Sequence, residues 1–190
     1  MRFLFHLLLL VGLSALAGAA WVAHRPVAVA PLTPAPPAKG NRPRDVVDEL
    51  RQAAIKRSAP LEISEQDLNR HLASVLAGPV REPLGEWAKF ERIAVELEPD
   101  LARLTLVWDV HGQRSTVTVD LTVERQEKSF RVQVVGGSYG HLEVPRGLLR
   151  PLAPMLRKLS QALEPDINAL FQMNQVRVAK DKLVLDPRFL

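Results

Sequence analysis

The sequence predicts an α+β fold, an antiparallel β-meander packed on helices and set behind an N-terminal transmembrane helix. Three observations predict it. Residues Phe3 to Ala23 form an apolar run without a formal charge. Four successive segments between Ile93 and Val134 alternate apolar and polar residues, the period of half-buried strands. From Leu148 to Leu163 the period becomes helical, with Leu148, Leu149, Leu152, Met155, Leu156, Leu159 and Leu163 on one stripe.

As a helix, the apolar run reaches about 31 Å, close to the thickness of a bilayer's hydrocarbon core. Arg2 is a minimal positive start, and Ala17-Gly18-Ala19 and Gly18-Ala19-Ala20 offer small residues at cleavage-like spacing, so a removable signal is one reading. The length of the run and Trp21 at an interfacial position favour a retained anchor. Arg2 and the terminal amine precede the run, whereas Arg25, Lys39, Arg42 and Arg44 follow it. That raw count would turn the rest of the chain toward the cytoplasm, but only Arg25 lies close to the span. The expectation adopted is a single-pass membrane protein with an extracytoplasmic domain, secreted if the segment is cleaved.

The chain divides into residues 1–24 as anchor or signal, 25–44 as linker and 45–190 as one α+β domain. Six prolines lie between Pro26 and Pro43, which predicts a stiff polyproline II spacer reaching up to about 60 Å at ~3.1 Å per residue. The formal charge is +4, yet residues 1–44 hold five of the 25 basic residues and no acidic one. The domain therefore carries 20 basic against 21 acidic residues and lacks the basic face that nucleic-acid binding needs. Cysteine is absent, which excludes disulfides, thiolate metal sites, cysteine nucleophiles and a lipidated N-terminal cysteine.

Within the domain, Asp45 to Arg57 reads as a helix with an acidic start and a basic end. Leu61 to Ile63 is a short strand, and Ser64 caps the next helix with Asp67 in a capping-box-like position. Leu68, Leu72, Val75 and Leu76 mark one face of that helix, which ends near Gly78-Pro79. The four strands follow: Ile93, Val95 and Leu97; Leu104, Leu106, Trp108 and Val110; Val117, Val119, Leu121 and Val123; Phe130, Val132 and Val134. Gln126-Glu127-Lys128 is the expected hairpin turn. Pro151 and Pro154 break or kink the first part of the helix that opens at Pro145. A helical piece, Asp166 to Met173, leads to a final strand, Gln175 to Leu185.

Motifs for chemistry are sparse. Gly136-Gly137-Ser138-Tyr139-Gly140 matches G-x-S-x-G, but a nucleophile elbow needs a helix directly after the serine, and none is predicted before Pro145. A glycine-rich bend or bulge in a strand explains it better. His141-Leu142-Glu143 lacks the cysteines of a zinc deaminase. His71, His111 and His141 have no second histidine at ligand spacing, and Glu96, Glu98 and Asp100 read as a solvated strand end. No catalytic residue, metal or cofactor is assigned. The remaining candidates are apolar. Alternation puts Leu104, Leu106, Trp108, Val117, Val119 and Leu121 on one sheet face, and helical spacing aims Leu152, Met155 and Leu159 at a common side. These faces either close into a core or leave a groove for a hydrophobic ligand.

Leu61 to Leu76, LEISEQDLNRHLASVL, followed by a meander, a glycine-rich strand end, a proline-opened helix and a terminal strand, resembles bacterial envelope proteins of the YceB-like and YpmS-like kinds. The resemblance spans roughly residues 60–187. It implies a relationship to tubular lipid-binding (TULIP-like) domains, in which a curved sheet wraps a helix around an apolar channel. It further implies a lipid or other hydrophobic ligand, a place at the bacterial inner membrane with the domain periplasmic, and no catalytic residues. The alternative expectation is a cell-envelope scaffold, a protein-interaction module with a filled core.

Overall fold

The computed structural model describes residues 2–29, 46–56, 59–76, 88–126 and 129–188. Helix α1, Arg2–His24, is long and apolar enough to cross a membrane, and none of its apolar window is buried. Helix α2, Val46–Lys56, and strand β1, Leu61–Ser64, precede helix α3, Glu65–Leu76. Ser64 caps α3 as its sequence suggests: the Asp67 N–H donates to Ser64 Oγ at 3.1 Å, and that hydroxyl donates to Asp67 Oδ2 at 2.8 Å. The residues expected to flank these helices, Asp45, Arg57 and Gly78-Pro79, lie outside the described residues, as do Glu127 and Lys128 of the expected hairpin turn.

The meander is a five-stranded antiparallel sheet in simple sequence order: β2 Ala88–Glu98, β3 Leu101–Val110, β4 Gln113–Gln126, β5 Ser129–Tyr139 and β6 Leu142–Val144. Asp100, His111 and Gly112 take positive φ in its turns, and the Gly112 N–H donates to Asp109 Oδ1 at 2.6 Å. Register places Leu104 opposite Val119, Leu106 opposite Val117 and Ala102 opposite Leu121, so the six predicted sheet residues do share a face. Two strands are longer than their alternation shows because a register shift interrupts each pattern: one between Phe90 and Arg92, the other opposite Asp120 and Leu121. Beyond the second shift, β5 runs through Gly136 and Gly137 to Tyr139. A Cβ on Gly137 would strike the Thr118 carbonyl oxygen and press on Leu149 Cδ1, so only glycine fits there.

The C-terminal half keeps the expected break in the helix near Pro151 but departs from expectation at the last strand. The helix after Pro145 starts as a 3-10 helix, Arg146–Leu152, and becomes α-helical only in α4, Ala153–Ala162, with α5, Glu164–Phe171, behind it. Pro151 lies inside the 3-10 turn and Pro154 near the start of α4, where the missing N–H of Pro154 costs no intrahelical bond. The single strand expected from Gln175 to Leu185 is instead a hairpin, β7 Gln175–Ala179 and β8 Lys182–Asp186. Asp181 at φ 60° makes its turn. This hairpin forms a second sheet of order β1-β8-β7. The two sheets are tied through their turns: the Asp100 N–H donates to the Val178 carbonyl and the Asp181 N–H to the Leu97 carbonyl, both at 3.0 Å.

One core joins these elements. Val46, Leu50, Ile63, Leu72 and Leu76 meet Ile93, Val95, Leu97, Leu106, Trp108 and Val117 of the meander, Met155 and Leu159 of α4, and Val178, Leu183 and Leu185 of the small sheet. Phe90 and Trp108, opposed across β2 and β3, meet edge-to-face with centroids 5.3 Å apart.

Candidate functional site

The nine residues expected to line a hydrophobic site lie on the core side of the fold. Leu106, Trp108, Val117, Met155 and Leu159 are buried within the core cluster, and Leu104 and Leu152 pack against it half-buried. Val119 is fully buried and Leu121 half-buried on the same sheet face.

Open volume occurs on the opposite face of the meander. A cavity of about 430 Å³ is bounded by residues 27–29, by Glu65, Gln66, Asn69, Arg70 and Ala73 of α3, and by Ala94, Glu96, Arg103, Thr105 and Thr118 of the sheet. The sequence predicts its first wall to be the start of a spacer. Residues 25–29 instead run along the sheet: the Val27 N–H donates to Thr116 Oγ1 at 2.9 Å, and Arg92 Nη2 donates to the Val29 carbonyl at 3.1 Å. Thr116 and its cross-strand partner Val107 are each 2 % exposed, on a face whose polar alternation predicted solvent. Two threonine hydroxyls of the cavity wall, Thr105 and Thr118, sit 3.3 Å apart.

The second wall explains the Ser-Glu-Gln-Asp-Leu-Asn segment. Strand β2 is a sheet edge, and an edge leaves backbone groups without ladder partners. Asn69 supplies them: its Nδ2 donates to the Val95 carbonyl at 2.7 Å, and the Val95 N–H donates to its Oδ1 at 2.6 Å. One helical turn earlier, Glu65 Oε2 accepts the Leu97 N–H at 2.8 Å. Residues four apart on a helix thus meet alternate residues of a strand. Sequence reading registered the cap in this segment and missed the clamp, because the partner strand lies some 26 residues away and no local periodicity reveals it.

The cavity's charges are largely balanced. Arg103 pairs with Asp120 at 3.0 Å, Glu98 at 3.1 Å and Glu96 at 3.5 Å. The Asp120 hydrogen bond raises its pKa against the opposing effect of burial, so the guanidinium is held charged. Glu96 and Glu98 are therefore partners of this arginine on a partly solvated rim. Arg70 pairs with Asp67 at 2.9 Å, while its Nε is buried without a hydrogen-bond partner. Gln66 is exposed at the rim. The walls combine alkyl surface from Val27, Ala28, Val29, Ala73 and Ala94 with amide, hydroxyl and guanidinium donors. That mixture suits an amphipathic guest.

The motif residues fall elsewhere. Ser138 sits near the end of β5, paired with Thr118 and Glu143, and the chain turns into β6 two residues later, so the strand–turn–helix of a nucleophile elbow does not form there. His71 is not isolated: its Nε2 lies 3.0 Å from Asp166 Oδ1, and both side chains are mostly buried between α3 and α5. His111 is in a turn, and His141 faces the Arg25 carbonyl at 3.1 Å. Among the described residues, no group of three or more His, Cys, Asp or Glu could hold a metal ion.

Comparison of the chain with protein-family models, with curated protein sequences and with solved structures finds no match in any of the three.

Proposed function

We propose that this chain is a membrane-anchored, extracytoplasmic domain that holds a lipid or similar amphipathic molecule and performs no chemistry on it. The observation that carries the reading is the cavity of about 430 Å³ whose wall at residues 27–29 begins three residues after α1 ends. A guest there lies near the bilayer from which it would be taken, among alkyl groups and balanced hydrogen-bond donors. The likeness of residues 61–76 to YceB-like and YpmS-like envelope proteins supports the same reading, and with it a TULIP-like relationship and a place at the bacterial inner membrane.

Native mass spectrometry of the gently extracted full chain tests it. The expected result is a lipid-sized adduct that is lost when Ala73→Phe or Ala94→Phe fills the cavity. A wild-type chain without any adduct overturns the reading. The envelope scaffold would then replace it, a role favoured by the close packing of the apolar face, where Leu106 is fully buried and Met155 and Leu159 are each 4 % exposed.

A further inference from the structure

The end of α1 is pinned to one end of the meander. The His141 N–H donates to the Val22 carbonyl at 3.3 Å, and His141 Nδ1 lies 3.1 Å from the Arg25 carbonyl oxygen. His24 Nε2 meets Gln113 Oε1 at the neighbouring β3–β4 turn. Gly140, at φ 54°, approaches so closely that a Cβ would strike the Ala23 and Arg25 carbonyl oxygens. Two turns of the sheet, His111–Gln113 and Gly140–His141, thus grip the last residues of the span.

A span of 21 apolar residues ending at Ala23 just crosses the ~30 Å hydrocarbon core. Whatever touches Val22 to Arg25 then lies in the headgroup layer, which is only some 5–8 Å deep on each side. Trp21, 64 % exposed, has the Arg25 guanidinium 5.1 Å from its ring centroid, an arrangement typical of that layer. The same end of the domain carries the 3-10 helix: Tyr139, next to Gly140, donates its hydroxyl to the Leu148 carbonyl at 3.0 Å. Leu148 is 58 % exposed although its neighbour Leu149 is buried, and Arg146 and Arg150 beside it are exposed. Exposed acids at this end are Glu143 on β6 and Glu91, the latter paired with Arg114 at 3.0 Å.

We propose that this end of the domain lies on the membrane, with Leu148 in the headgroup layer and Arg25, Arg146 and Arg150 against anionic lipid headgroups. The inference rests on α1 being retained in the bilayer, and is independent of what the cavity holds. It gives the exposed leucine an interfacial environment poorer in water than the bulk and the arginines a partner. Polybasic contact of this kind strengthens with the anionic lipid content of the leaflet.

Because the chain has no cysteine, single labels are unambiguous. Leu148→Cys and Lys180→Cys, the latter in the β7–β8 turn that is tied to the β2–β3 turn at the opposite end of the meander, are spin-labelled in the full chain and reconstituted into phosphatidylcholine bilayers with and without phosphatidylglycerol. The label at 148 is expected to show the oxygen accessibility of the headgroup layer, and the label at 180 that of bulk water. Phosphatidylglycerol should deepen the first label, and Arg146→Gln with Arg150→Gln should cancel that gain. A label at 148 as water-accessible as that at 180, or a chain that does not enter bilayers, overturns the proposal. An empty cavity in the mass-spectrometric test has no bearing on these outcomes, so the two readings fail separately.

Discussion

Replacing Asn69 by leucine tests whether α3 closes the edge of the meander. The change keeps the branched heavy-atom shape of the side chain and, although it raises helix propensity, removes both hydrogen bonds to Val95. Each such bond is worth about 0.5–1.5 kcal/mol net, so the pair accounts for about 1–3 kcal/mol. The loss should fall in the upper half of that range, since α3 still covers β2 and the Val95 groups would be left without a full replacement by water. Glu65→Ala removes a carboxylate bond to the Leu97 N–H, a charged acceptor worth about 1.5–3 kcal/mol. The two substitutions loosen the same helix from the same strand, so their sum should exceed the double variant by at least ~0.5 kcal/mol. Urea unfolding of a fragment beginning at Trp21, with amide exchange at Val95 and Leu97, measures all of this. A cost below ~0.5 kcal/mol for Asn69→Leu, with unchanged protection of the Val95 amide, refutes the clamp.

Other substitutions test the packing on both faces of the sheet. Leu106→Ala, at a site with no exposure, should cost about 2–5 kcal/mol in urea; a much smaller cost would mean that the apolar face is not closely packed. Gly137→Ala should destabilise by ~1–3 kcal/mol, because its methyl meets backbone as well as Leu149, whereas Gly136→Ala should be tolerated, its nearest neighbour being Asp120 Oδ2 at 3.7 Å. Equal thermal shifts for the two variants would contradict this account. A fragment starting at Asp45 should be less stable than one starting at Trp21 by about 1–3 kcal/mol, having lost the bonds of Val27 and Val29. Equal urea midpoints would show that residues 22–29 are dispensable.

Much of the architecture was legible because its periods are local. Alternation at Leu104, Leu106, Trp108 and at Val117, Val119, Leu121 identified both the strands and their shared face. Ser64 and Asp67 located the start of α3. What escaped was non-local or lay where the period slips. The bulge opposite Asp120 and Leu121 hid the continuation of β5 through the glycines. The β7–β8 turn at Lys180-Asp181 lacks glycine and proline, and Asp181 reaches φ 60° without either signal. The cavity was invisible for the same reason as the clamp: Glu65, Asn69, Arg103, Thr105 and Thr118 belong to segments whose juxtaposition only the fold creates.

The threonines carry the deepest lesson of this sheet. Thr105, Thr116 and Thr118 occupy polar positions in a strand alternation, and such positions normally face water. Threonine is also β-branched and well suited to a covered strand when its hydroxyl finds a partner. Here Thr116 accepts from the Val27 N–H, and Thr105 lies within hydrogen-bond distance of Thr118. The cover comes from residues 27–29, which the turns at Gln113 and His141 aim along the sheet by holding the end of α1. Residues 25–29, directly after α1, are therefore themselves packed over the sheet of the domain. A displacement of α1 relative to the sheet would strain its contacts with Gln113, Gly140 and His141 and, through Val27 and Val29, the cavity wall that these two residues help form.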